Sequence, residues 1–153
     1  MDKLVCSAAG AGVVSLERSP GENARALAEA LGKPVEELVV AVLDKPRHAA
    51  LIAELRDAGV ALSLRGEGDV SVAIEAADPA GAVDLVLGIG GTPEGVVAAC
   101  AVRALGGVME GRLAPQTAAE RANALAAGHD LDRLLRLEDL VASDDVLFAG
   151  CAV

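Results

Sequence analysis

Three apolar runs of strand length, each followed by a polar exit and a helix-like stretch, constrain this chain more than any other feature. Leu38 to Leu43 is unbroken, Val60 to Leu64 repeats the pattern, and Val83 to Leu87 repeats it around Asp84. An apolar run of that length must be covered on both faces, the condition of a parallel strand between helices. The sequence therefore predicts an α/β fold, a three-layer α/β/α sandwich with a largely parallel sheet, in a single domain over 1–153.

Helix punctuation supports the alternation. Ser19-Pro20-Gly21-Glu22 supplies an N-cap, a proline for the first position and a capping-box glutamate, with Gly32 as the stop after Leu31. Pro34 to Glu37 reads as a further helical turn. A second helix carries Leu51, Ile52 and Leu55 on one face and ends near Gly59, and Asp69 is placed as N-cap of a third through Ala77. Val13 to Leu16 reads as a short strand. Beyond Leu105 the sequence predicts an extended segment over Gly107 to Leu113 and a helix over Gln116 to Ala127, with Glu120 and Arg121 on its polar side. A helical turn over Glu138 to Ala142 and a last short strand over Asp145 to Ala149 complete the pattern.

With 53 % hydrophobic residues but one Phe and no Trp or Tyr, the core has to be built from Ala, Val and Leu. A net charge of −10 without clustered Lys or Arg excludes a nucleic-acid-binding face, and the lack of aromatics removes stacking platforms. No apolar stretch has the length of a membrane span, and no signal-peptide pattern opens the chain, so a cytoplasmic location is expected. Cys6, Cys100 and Cys151 are too scattered for a disulfide framework or zinc site and read as reduced, buried small hydrophobes.

The third apolar run leads into Gly88-Ile-Gly-Gly-Thr-Pro-Glu-Gly95. Glycines there let backbone approach a ligand, and the free N–H groups of the first helical turn attract anions. Thr92 is placed as N-cap, Pro93 at the first helical position and Glu94 in the first turn. Ligands of parallel β/α sheets bind outside the carboxyl ends of the strands, so the exits belong together. One exit offers Lys45 and Arg47, which suit a phosphate. The second offers Glu67 and Asp69 around Gly68, which suit sugar hydroxyls, and the third offers Gly91 and Glu94, a carboxylate able to bind Mg²⁺ or Mn²⁺. Taken singly, the cations also read as a solvated strand exit and the carboxylates as turn and cap residues. His48 reads as a first-turn surface residue, and His129 has no assigned role.

In order and spacing these blocks resemble the class II fructose-1,6-bisphosphatases of bacteria, including forms that also act on sedoheptulose 1,7-bisphosphate. The resemblance is carried by Glu22-Asn23 through Lys33, Val42-Leu-Asp-Lys-Pro-Arg-His48, Gly68-Asp69-Val70, the Gly88 to Gly95 block, Leu105-Gly-Gly107, Gly111-Arg-Leu113, Asp139-Leu-Val141 and Phe148. It implies the sugar-binding half of the sugar-phosphatase fold, and hydrolysis of the 1-phosphate of fructose 1,6-bisphosphate by a metal-activated water in gluconeogenesis or a related route. By the same resemblance Lys45, Pro46, Arg47, Glu67, Gly68, Asp69 and Gly91 bind substrate, Glu94 is a ligand to Mn²⁺ or Mg²⁺, and the full-length family forms dimers or tetramers.

By the resemblance, family members are about twice as long, and their upstream half carries most metal ligands, including an Asp-Pro-Ile-Glu-Gly-Thr-like motif that has no counterpart here. Glu67 stands where the family has Asp, and Phe148 to Val153 stops inside what resembles a final strand. The expectation is a C-terminal, sugar-binding portion with no catalytic residue of its own, inactive alone. The alternative is an inactive sugar-phosphate-binding module or regulatory fragment.

Overall fold

The computed structural model describes residues 1–150. Six strands form one sheet: β1 (Asp2–Cys6), β2 (Val39–Leu43), β3 (Ala61–Arg65), β4 (Leu85–Ile89), β5 (Val108–Arg112) and β6 (Leu135–Arg136), in the order β3-β2-β4-β1-β5-β6. The helices are α1 (Pro20–Leu31), α2 (Ala49–Asp57), α3 (Asp69–Ala77), α4 (Thr92–Ala104), α5 (Ala118–Ala126) and α6 (Leu137–Leu140). β2 is parallel to both β3 and β4, the central position its unbroken apolar run predicts. β1 and β6 run against the other four strands.

Strand periodicity sorts the core into two clusters, one on each face of the sheet. Leu4, Cys6, Val40, Val42, Leu85 and Leu87 lie beneath Ala24 and Leu27 of α1 and Ile52 and Leu55 of α2. Val5, Ala41 and Val86 face Val72, Ala73 and Ala76 of α3 and Ala98, Ala99 and Val102 of α4. The second interface is dominated by alanine and valine, so α3 and α4 approach each other and the sheet closely, which suits a core without aromatics. Each buried Leu or Val side chain contributes roughly 1.5–3 kcal/mol. The result is the three-layer arrangement that the alternating pattern predicts. Cys6 is fully buried, which pushes its thiol up to about 12, and Cys100 is half-buried in α4. The reading of Cys151 lies outside the described residues.

The α1 boundary is as expected: the Ser19 hydroxyl accepts from Glu22 N, the Glu22 carboxylate accepts from Ser19 N, and Gly32 closes the helix at φ 66°. Elsewhere the boundaries need correction. Val13 to Leu16 is not a strand, because its amides are spent on a turn and on side chains: Val14 N donates to Gly10 O, Ser15 N to Asn23 Oδ1 and Leu16 N to Glu110 Oε2. Asp145 to Ala149 is irregular and pairs with no strand among the described residues; Leu147 within it is 92 % exposed. The N-cap of α3 is Gly68, and that of α4 is Gly91, so Asp69 and Thr92 are the first residues of their helices rather than the caps. Asp69 does not cap because its carboxylate is engaged by Lys3.

Candidate functional site

The exits of β2, β3 and β4 open at one edge of the sheet because the three strands run the same way. After β2, Lys45 stays extended and Pro46 opens a 3-10 turn, Pro46–His48, that leads into α2. Two consecutive side chains of that turn then grip one residue of β4. Arg47 Nε donates to Ile89 O at 2.8 Å, and Ile89 N donates to His48 Nε2 at 2.8 Å. With Nε2 accepting, the ring proton belongs on Nδ1, which faces Leu43 O at 2.7 Å, so His48 is held as the neutral Nδ1–H tautomer. His48 is 2 % exposed, not the surface residue expected from its place in a polar exit. It bridges β2 and β4 beyond the end of their ladder, at Val40–Leu85 and Ala41–Val86.

The grip places Arg47 beside the glycine loop. Arg47 is exposed, and its Nε contact leaves the terminal guanidinium nitrogens outside that bond; the residue lines a cleft of about 630 Å³ with Ile89, Gly90, Gly91 and Thr92. Gln116, Glu120 and His129 line the opposite wall, so His129 belongs to this cleft, a placement that its loop sequence did not signal. A volume of that size is in the range of small-molecule sites. Lys45 is half-buried, and Pro46 is exposed. A second cleft of about 310 Å³, containing Asp2, Arg18 and Glu54, lies on the other side of Arg47; burial pushes the Asp2 carboxyl up.

Beneath the glycine loop lies a buried ion pair. Lys3 in β1, 1 % exposed, pairs with Asp69 in the first turn of α3. A side chain on Gly90 would collide with the Asp69 carboxylate and come within 2.8 Å of Lys3 Nζ. Gly91 is crowded in the same way by the Glu94 carboxylate, which folds back over its own helix start. Gly90 is therefore required by packing at the turn, whereas at Gly91 the exposed Glu94 side chain can swing aside. Glu67 and Gly68 are exposed, with Gly68 at φ 102°, and only Asp69 of that trio is drawn in under the loop. The structure thus joins Arg47, Gly91 and the α5 wall in one cleft, and Asp69 with Gly90 below it. Lys45, Glu67, Gly68 and Glu94 do not line that cleft.

A family model described as bacterial fructose-1,6-bisphosphatase, glpX-encoded, matches residues 1–153. The chain belongs to this bacterial fructose-1,6-bisphosphatase family. Fructose-1,6-bisphosphatase 1 class 2 of Escherichia coli (strain K12) is 39 % identical over 166 aligned residues, covering 100 % of this chain and 49 % of that protein. Fructose-1,6-bisphosphatase class 2 of Shigella flexneri matches with the same identity and coverage. The chain spans about half the length of these curated relatives.

Among the described residues no group of three or more His, Cys, Asp or Glu side chains is placed to hold an ion. Glu94 is therefore not part of such a group. Among the described residues no helix is long and apolar enough to cross a membrane.

Proposed function

We propose that this chain forms the sugar-phosphate-binding part of a class II fructose-1,6-bisphosphatase, an enzyme releasing the 1-phosphate of fructose 1,6-bisphosphate in cytoplasmic carbohydrate metabolism. The observation that carries the reading is the double grip on Ile89, which sets the Arg47 guanidinium on the same cleft as Gly90 and Gly91. In this reading Arg47 clamps a phosphate bidentately, Lys45 adds a point charge, and Pro46 fixes the turn that presents both. Asp69 accepts from sugar hydroxyls, Glu67 and Gly68 contact the substrate from the β3 exit beside it, and the Gly91 backbone approaches the ligand closely. Glu94 is this chain's contribution toward Mn²⁺ or Mg²⁺, with the remaining ligands lying outside its span. Hydrolysis then requires those further residues, in keeping with a match to 49 % of the relatives' length.

That no group of three or more His, Cys, Asp or Glu side chains is placed to hold an ion among the described residues favours one second reading, a module that binds sugar phosphate without turning it over. Isothermal titration of the chain with fructose 1,6-bisphosphate, with and without Mn²⁺, tests the shared core of both. Saturable binding that survives Glu94→Gln is the expected result, because Arg47 and Asp69 hold the sugar phosphate. No heat of binding in either condition would remove the sugar-phosphate assignment.

A further inference from the structure

We propose that Lys3 is a positioning residue for the sugar end of this site, acting through Asp69. The inference rests on the reading of Asp69 as a sugar contact and adds to it a residue outside the three strand exits.

A lysine inside an interior strand of the sheet is costly to bury, and this one, the second residue of β1, is 1 % exposed. Its cross-strand neighbours are Gly88 on β4 and Gly111 on β5, so neither flanking strand sets a side chain directly beside it. The ammonium is met by Asp69 Oδ2, and both groups press against Gly90 from below. One short ion pair therefore ties β1, the first turn of α3 and the exit of β4 together. Asp69 keeps Oδ1 outside that pair, and its side chain is 15 % exposed, so one carboxylate oxygen is committed to the protein and the other remains for a ligand. A lysine that only filled space could be replaced by a methyl-terminated chain. Here its charge fixes the rotamer of the acceptor and the height of the turn bearing Gly90.

The test is a double-mutant cycle on ligand binding, read with two ligands. Lys3→Met is expected to weaken fructose 1,6-bisphosphate roughly tenfold, the value of one charge-assisted hydrogen bond. Inorganic phosphate, which needs Arg47 but no sugar contact, is expected to bind as in wild type. Asp69→Asn is expected to give the same loss, and Lys3→Met in the Asp69→Asn background to add nothing. Additive losses, or an equal loss for inorganic phosphate, would overturn the proposal in favour of a general packing role. If Lys3→Met does not fold, Lys3→Gln, which is one atom shorter and removes the charge, takes its place, with the same ligand-selective loss expected and the same outcomes overturning the proposal.

Hydrogen exchange separates this inference from the functional reading. The Gly90 amide donates to Met1 O at 3.0 Å, and its exchange is expected to quicken in the Lys3 variant. Absence of fructose 1,6-bisphosphate binding by wild type would count against the functional reading. An unchanged Gly90 exchange rate would count against Lys3 itself.

Discussion

Replacing Gly88 by Val is expected to remove about 3 kcal/mol or more of stability, enough to unfold a marginal domain. Gly88 adopts φ +139°, a region that side-chain-bearing residues avoid at a cost of order 1–3 kcal/mol. An added Cβ would also sit 3.0 Å from His48 Nε2 and 3.1 Å from Cε1, against a buried ring with both nitrogens already engaged. If the ring gives way, Ile89 N–H and Leu43 C=O lose their partner at the end of the β2–β4 ladder. An unsatisfied buried group costs about 1–3 kcal/mol. Urea unfolding measures the sum, and Gly12→Ala provides the control. Gly12 also has positive φ, at +71°, but nothing lies within 4 Å of its added Cβ, so only the backbone cost of about 1 kcal/mol should appear there. Equal losses at the two positions would show that the His48 bridge contributes nothing.

Arg47→Ala is expected to act on binding and not on folding. The side chain is exposed and makes a single hydrogen bond, so stability should change by less than about 1 kcal/mol. Affinity for fructose 1,6-bisphosphate should fall roughly 10- to 100-fold, because a hydrogen-bonded charge pair to phosphate is worth about 1.5–3 kcal/mol. Arg47→Lys keeps the charge and loses the planar fork together with the Nε anchor on Ile89, so it should recover only part of the affinity. Calorimetric titration paired with a thermal melt checks both arms. An unchanged affinity in Arg47→Ala would withdraw the phosphate assignment from the β2 exit.

The parts of the fold legible in the sequence are those in which a local pattern and a tertiary requirement coincide. Ser19, Pro20, Glu22 and Gly32 define α1 because caps act within a few residues of themselves. β2 was legible because both its faces are covered and no polar residue interrupts it. β1 escaped for the opposite reason: Asp2 and Lys3 break its pattern, and Lys3 is tolerated inside only because Asp69, distant in sequence, meets it. The same pairing took Asp69 from the capping role that its position suggests. In the candidate site, the Arg47 exit and the glycine loop were readable as composition at strand ends. The His48 bridge and the α5 wall depend on which strands become neighbours, which no local signal carries. A charge beside the short apolar run Leu4-Val5-Cys6 was the available hint of a buried partner.

The most direct test of the central claim is phosphate release from fructose 1,6-bisphosphate in the presence of Mn²⁺, measured for the chain alone and mixed with a separately produced N-terminal half of a family enzyme. Release confined to the mixture and abolished by Glu94→Ala is the predicted result. Turnover by the chain alone would contradict the division of labour proposed here, and silence in the mixture despite sugar-phosphate binding would leave the non-catalytic module as the correct description.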